Sequence, residues 1–321
     1  MAFNISRYYG QERMEFDVEV ITPMFLGGAD QKTAELRSAS LKGLLRFWWR
    51  AASRIEDAVA LREKENHIFG SAETNKSCVS IHTEDEHVKY EQTRKFPSHP
   101  YSVKGHSLNI LDYLAYGLKQ KNEFVRDRIE PESRFKITLI FNDKKSNNKD
   151  EIIRAFSLLV HYGGLGSRNR NGYGGVYIDN LEKEKISSQQ QLAPFPAITK
   201  ETRCFEFSEH NTWHDALAEL GFAYKDARLS LENRHRFSKR SYISAPLMDS
   251  KENKAPLERH AKPYFLHVGK EGGGYKGQIL YMPYKYLAGR KDFSEKKLIE
   301  YLDACNSLNK ELELKSRGDR S

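Results

Sequence analysis

Apolar and polar residues alternate from Phe16 to Thr22 (Phe-Asp-Val-Glu-Val-Ile-Thr), the period-two pattern of a half-buried strand. Pro23 ends it, and Gly27-Gly28 mark a turn. Ser40 reads as the N-cap of a long helix running to about Arg62, because the apolar positions after it recur at helical spacing. Val79 to His82 predicts a short strand. Glu84 to His106 is polar, with several His and Pro, and predicts an irregular insertion. Leu108 to Lys121 predicts a short helix. Pro131-Glu132-Ser133 then opens the strongest strand signal, Arg134 to Phe141, with an apolar residue at every second position. A charged turn from Asn142 to Asp150 leads into a helix from about Glu151 to Tyr162, a glycine-rich loop, and a strand from Gly175 to Asp179.

Strand, helix, two strands, helix and strand is the order of a ferredoxin-like βαββαβ unit carrying inserted loops. Glu184 to Lys200, with its Ser-Gln-Gln-Gln run and Pro194 and Pro196, reads as a linker. Beyond it the pattern predicts a strand at Arg203 to Phe207 and a helix at Trp213 to Tyr224. Paired strands follow at Pro263 to Val268 and Gly277 to Met282, turned by Gly272-Gly273-Gly274, and a closing helix runs from Leu298 to Leu314. No clear internal sequence repeat joins the two halves.

Composition narrows the function classes. At 321 residues with 39% apolar content, the chain has length and apolar material for two medium domains or one large one. No run of about 18 apolar residues exists, so a membrane span is not expected, and Met1 to Arg13 lacks the apolar core of a signal peptide. Three cysteines far apart, Cys78, Cys204 and Cys305, argue against a disulfide framework and for a reducing cytoplasm. Lys and Arg number 52 against 44 Asp and Glu, a formal charge of +8, which favours polyanions through counterion release.

The placement of that charge is more informative than its sum. In Ser40-Leu-Lys-Gly-Leu-Leu-Arg-Phe-Trp-Trp-Arg-Ala-Ala-Ser-Arg, the cations Lys42, Arg46, Arg50 and Arg54 recur every four residues. On one helix that spacing makes a single stripe with a cation at about 6 Å intervals. Leu41, Leu44, Leu45, Trp48 and Ile55 form the opposite, apolar stripe, which should pack on a sheet. Arginine grips phosphate with two parallel hydrogen bonds, so the stripe suits a phosphate backbone. A solvated face, or one paired with acidic residues elsewhere, is the other reading. Gly43 is unfavourable inside a helix and would admit a close neighbour, sheet or RNA. Trp49 reads as a core aromatic in preference to a base-stacking one.

Six of the residues from Gly163 to Gly175 are glycine, and Ser167, Arg168, Asn169 and Arg170 sit at the centre of the run. Glycines let backbone pass close to a ligand and present its amides, and the arginines add charge. Gly164-Leu-Gly166-Ser-Arg-Asn169 lacks the third glycine of a dinucleotide fingerprint, and the loop follows a helix and precedes a strand, the reverse of a Rossmann turn. A plain flexible loop would explain the glycines but not the arginines.

Taken together these segments resemble the RAMP superfamily of CRISPR proteins. The glycine-rich loop looks like the family's signature loop before the last strand of a ferredoxin-like domain. Ile21-Thr-Pro-Met-Phe-Leu-Gly-Gly-Ala-Asp30 and Ser40 to Arg50 look like the first RAMP subunit of Cmr (type III-B) effector complexes. Tyr113-Leu-Ala-Tyr-Gly117 and Arg134-Phe-Lys-Ile-Thr-Leu139 are similar to further stretches of that group. The likeness is strong over roughly residues 15 to 180 and fainter from 200 to 290. It implies an α+β fold of two tandem ferredoxin-like (RRM-like) domains with inserted loops and helices, divided as 1–183, a linker at 184–200, and 201–321. It also implies a cytoplasmic, non-catalytic RNA-binding subunit of an antiviral ribonucleoprotein. Guide RNA, target RNA and other RAMP subunits would be its partners, with no cofactor and no membrane. The RNA-binding residues expected on this basis are Lys42, Arg46, Arg50, Arg54, Gly164, Gly166, Ser167, Arg168, Asn169 and Arg170.

Two other classes stay open. A metal-independent guide-processing endoribonuclease needs an acid and a base at the scissile phosphate, and His161, beside the glycine loop, is the candidate base, although a lone His ending an apolar helix is more often structural. A protein-only structural adaptor would show no RNA affinity. Asp30 sits in a turn similar to the acidic turn of palm-type polymerases and cyclases. Ala29 stands where the second carboxylate of a two-metal site would be needed, so Asp30 reads as a turn or RNA-positioning residue. His67, Cys78, His82, His87, His99 and His106 match no zinc spacing and no Cys-x-x-Cys pair exists, so no metal is expected there. Arg228, Arg234, Arg236, Lys239 and Arg240 form a further basic stretch, read as a loop.

Overall fold

The computed structural model describes residues 11–30, 32–71, 76–91, 95–103, 105–120, 123–142, 148–233, 238–244, 260–286 and 293–318. The first half runs β1 (Glu12–Val20), α1 (Ser38–Ala52), α2 (Ala58–Phe69), β2 (Val79–His87), α3 (Ile110–Leu114), β3 (Arg134–Phe141), α4 (Asn148–Tyr162) and β4 (Val176–Tyr177). Its sheet has the order β4-β1-β3-β2 with every neighbouring pair antiparallel. The second half runs β5 (Arg203–His210), α5 (Trp213–Ser230), α6 (Ser238–Ile243), β6 (Tyr264–Glu271), β7 (Gly274–Tyr281) and α7 (Glu295–Ser316), with an antiparallel sheet ordered β5-β7-β6. The fold is thus mixed α and β on antiparallel sheets.

β3 forms as its alternation predicts. Phe135, Ile137, Leu139 and Phe141 are buried beneath α1 and α4, and the strand pairs with β1 on one side and β2 on the other. α4 contributes Ile152, Ala155, Phe156 and Leu159 to the same core, and α1 contributes Leu41, Leu45, Trp48 and Trp49. Burying each of those indoles is worth about 3 kcal/mol. Trp49 is a core residue, as expected, and its Nε1–H donates to Glu151 at 3.0 Å.

The two cores interlock across the sequence. Phe265, Leu280 and Met282 from the second half pack into the first core. Ile21, Phe25, Ile110, Leu111, Leu114 and Tyr173 from the first half pack into the second. Residues 184–200 hold no helix or strand, yet Ala193, Ala197 and Ile198 are buried, and the Ile198 amide donates to the Ala51 carbonyl.

Several expectations need correction. The single helix from Ser40 to Arg62 is two helices. α1 begins at Ser38, with Arg37 at the cap position making no side-chain bond, and ends at Ala52. Ser53 is extended and its Oγ accepts from Ile55, while Asp57 caps α2 through Ala60. Local side-chain bonds of this kind compete with helix continuation. The strand at Val79 reaches His87, into the stretch read as irregular, and that stretch also holds a hairpin of Pro100–Val103 with His106–Asn109. The helix from Leu108 is only the five residues of α3, capped by Asn109. In the second half the hairpin turns at Gly272 and Gly273, both at positive φ, as the glycines imply.

Candidate nucleic-acid interface

α1 presents its basic side at the surface, but with three cations, not four. Lys42, Arg46 and Arg50 are half-buried on one helical flank. Arg54 lies past the helix end, exposed, and is removed from the stripe by the break at Ser53. Both helical arginines meet one carboxylate: Arg46 Nε and Arg50 Nη1 each donate to Glu65 Oε1 at 2.6 Å. Glu65 is 9% exposed and the two arginines 31% and 34%, so α2 supplies a buried anchor that fixes two guanidinium groups while leaving N–H groups toward solvent. Arg46 also reaches Asn66 Oδ1 and lies over the Phe69 ring. One acid against two arginines leaves an excess positive charge. Lys42 has no ion pair among the described residues, and burial followed by the nearby Arg46 charge lowers its pKa. Gly43 is exposed, and among the described residues nothing lies within 4 Å of a notional Cβ and no sheet approaches there.

The apolar stripe divides. Leu41, Leu45 and Trp48 are buried, Ile55 lies beyond the helix, and Leu44 with Ser40 lines an open groove of about 270 Å³ shared with Phe25, Leu26, Gly27, Arg126, Gly166 and Ser167. This groove joins the segments singled out in the sequence: the turn after β1, helix α1 and the glycine-rich loop. Arg126, which sequence reasoning missed, donates to Ser167 Oγ at 3.1 Å. No local pattern around Arg126 marked it.

Within the loop the glycines admit the protein's own backbone, while Gly166 also lines the groove. A Cβ on Gly164 would lie 2.7 Å from the Tyr173 carbonyl oxygen. A Cβ on Gly166, at φ +84°, would lie 2.5 Å from that of Phe25, whose oxygen accepts from the Ser167 amide at 2.8 Å. Arg170 is also engaged by the protein itself. Its guanidinium stacks on Phe47 and Phe265 and donates to the Lys262 carbonyl at 2.7 Å, and burial pushes its pKa down to about 10. It ties the halves together. Asn169 Nδ2 is held by the Gly164 carbonyl. Arg168, left-handed at φ +62°, is the exposed member, with its guanidinium near Gly117.

His161 ends α4 half-buried. Its Nδ1 donates to the Ser157 carbonyl at 2.8 Å, and burial lowers its pKa despite that bond. It lines a cleft of about 230 Å³ between the halves, with Lys183, Glu206, His267, Lys270 and Lys276. Asp30 accepts from the Lys32 and Thr33 amides and the Thr33 hydroxyl, a turn that holds its carboxyl below the usual range, with the hydroxyl the largest cause. The later basic stretch does not form one loop. Arg228 sits on α5 and donates to Tyr113, Arg240 on α6 is buried against Glu232, and Arg234 and Arg236 lie outside the described residues.

A family model described as the RAMP superfamily matches residues 17–177. Two curated proteins of Pyrococcus furiosus are similar. CRISPR system Cmr subunit Cmr1-2 is 32% identical over 188 residues, 52% of this chain and 96% of that protein. Cmr subunit Cmr1-1 is 28% identical over 193 residues, 57% of this chain and 53% of that protein. Among solved structures, the apo crystal structure of Cmr1 from Pyrococcus furiosus aligns with a TM-score of 0.57 at 19% identity, covering 93% of this chain and 96% of that one. A subunit of a type III-B Cmr-beta complex bound to cognate target RNA aligns at 0.51 and 11%, covering 94% and 99%.

Proposed function

The chain belongs to the RAMP superfamily, and from that membership we propose that it is a non-catalytic RNA-binding subunit of a type III-B CRISPR (Cmr) effector complex. In this reading it works in the cytoplasm beside other Cmr subunits, and its ligand is the 3′ side of the guide RNA, the target RNA, or their duplex. Its two halves are two tandem ferredoxin-like units, the second with three sheet strands among the described residues. The curated relatives are named as Cmr subunits, and the aligned complex holds target RNA.

One observation carries the RNA assignment: Arg46 and Arg50 are clamped side by side on the single buried acid Glu65, with Lys42 on the same flank. A pre-ordered pair of guanidinium groups loses little side-chain freedom on meeting phosphate. Arg54 and Arg168 are further exposed cations, and Arg126 lines the groove beside Ser167. Among the described residues no helix is long and apolar enough to cross a membrane.

The endoribonuclease alternative draws on the cleft at His161, where a second imidazole, His267, is near. Its lysines are paired with acids: Lys183 and Lys276 with Glu206, Lys276 also with Glu271, and Lys270 with Glu19. His267 is buried and held by the Gly163 carbonyl. Each imidazole thus has its Nδ1 bonded to a backbone carbonyl.

The test is binding and cleavage together. Labelled single-stranded RNA and guide–target duplex are mixed with the purified chain across a salt series, with and without magnesium, and resolved on a denaturing gel. Intact RNA with salt-dependent binding is expected. RNA cut by the wild type and spared by His161→Ala would make the protein a nuclease, and absence of salt-dependent affinity in both the chain and its assembled complex would leave a protein-only adaptor.

A further inference from the structure

His99 precedes the hairpin at Pro100, and His214 and Asp215 open α5, more than a hundred residues later. The fold brings them together. His99 Nε2 lies 3.0 Å from His214 Nδ1, Asp215 Oδ1 lies 3.7 Å from the first nitrogen and 3.6 Å from the second, and all three side chains are partly exposed, at 17%, 27% and 42%. This group is the one set of His, Cys, Asp and Glu side chains among the described residues that converges as metal donors.

The triangle has the right size for a small dication. An ion about 2.1 Å from every corner of this triangle would lie about 0.6 Å out of the donor plane, close to the offset of a tetrahedral zinc site. The surroundings hold the donors in place. Thr212 Oγ1 donates to Asp215 Oδ2 at 2.5 Å, which leaves Oδ1 turned to the imidazoles, and Thr212 also caps the helix through the Asp215 amide. On the other side the His99 amide donates to Asn109 Oδ1 and its carbonyl accepts from Ile110, fixing the histidine to the start of α3. Outer bonds of this kind orient ligands in metal sites. Partial burial and the neighbouring His214 lower the His99 pKa, which favours the neutral imidazole that metals bind.

We propose that His99, His214 and Asp215 form a site for a borderline transition-metal dication, zinc in preference, that clamps the inserted segment of the first half to α5 of the second. Two imidazoles and a carboxylate suit Zn²⁺, Co²⁺ or Ni²⁺ and not Mg²⁺ or Ca²⁺, which take oxygen sets. The fourth position faces solvent and takes water. Without metal, one ring N–H must bridge the two imidazoles; on binding, that hydrogen moves to the other nitrogen of its own ring, so both facing lone pairs meet the ion and no oxidant or reductant is involved.

The experiment uses the full chain without a histidine tag, stripped with a chelator that is then removed. Cobalt chloride is followed by visible absorption, zinc chloride by calorimetry, and magnesium chloride serves as control. The expected result is one equivalent of Co²⁺ with the intense visible bands of a tetrahedral site, displaced by Zn²⁺, no Mg²⁺ uptake, and a zinc-dependent rise in Tm. His99→Gln and Asp215→Asn, conservative changes whose folding is checked by circular dichroism, should each lower affinity by about ten-fold or more. No stoichiometric uptake, or uptake unchanged in a folded His99→Gln/His214→Gln variant, would overturn the site and leave a plain histidine–histidine hydrogen bond.

Discussion

Arg46 Nε lies 2.6 Å from Glu65 Oε1, joining α1 to α2 across the break that separates them, and Arg50 shares the same oxygen. Such a carboxylate does two things at once: it holds the second helix down and it aims two cations outward. Glu65→Gln keeps the shape but removes the charge that both guanidinium groups need. We expect a stability loss of about 1–3 kcal/mol, read as a lower urea midpoint with an unchanged m-value.

Arg46 and Arg50 are tied into the fold, so charge reversal there would mix folding with binding. Lys42 and Arg54 have no ion pair among the described residues and give a cleaner test. Lys42→Glu and Arg54→Glu should leave Tm within about 2 °C. Each should weaken RNA binding and lower the log–log salt slope by about one unit. Unchanged affinity and slope in the double variant would reduce the basic flank to wet surface.

Two glycines should respond in opposite directions to the same methyl group. Gly174 has φ +73°, and a Cβ there would meet the Leu165 carbonyl oxygen at 1.9 Å. Gly174→Ala should therefore cost at least about 2 kcal/mol. Gly43 sits mid-helix with open space around it, and Gly43→Ala should add about 0.5–1 kcal/mol through helix propensity. Both are read by thermal and urea unfolding.

His267 gives stability a pH dependence. Burial pushes its pKa down to about 4, although its Nδ1–H donates to the Gly163 carbonyl at 2.7 Å. The unfolded chain binds a proton near the ordinary histidine value of about 6.5, so between 6.5 and 4 the unfolded state holds more protons than the native one. Stability from this group is complete above about 6.5 and falls as pH drops toward 4, by about 3 kcal/mol at most. His267→Asn keeps a donor near the Nδ1 position but cannot titrate. Its urea midpoint should therefore fall less than that of the wild type over this range.

Periodicity along the chain determined β3, α4, α5, the second hairpin and α7, because each carries its own apolar repeat and its own punctuation: a proline before β3, a threonine cap before α5, a glycine turn between β6 and β7. The recurrence of Lys42, Arg46 and Arg50 marked a basic flank for the same reason: successive turns of one helix need no tertiary information. The break at Ser53 was not legible, since Arg54 continues the spacing and only the competing bonds of Ser53 and Asp57 end the helix.

Contacts between residues far apart in sequence belonged to the tertiary structure alone. Arg170 read as a phosphate ligand by its charge, yet Phe47, Phe265 and the Lys262 carbonyl claim it, and those partners lie about a hundred residues away on either side. The loop glycines read as ligand-facing, yet they admit the backbones of Phe25 and Tyr173. His99 stood among histidines with no metal spacing, and its partners, His214 and Asp215, come from another element. A sequence records local repeats because neighbouring residues share one helix or strand. It does not record which distant side chain will fill the space beside a charge, and that choice decides whether the charge faces solvent or the protein.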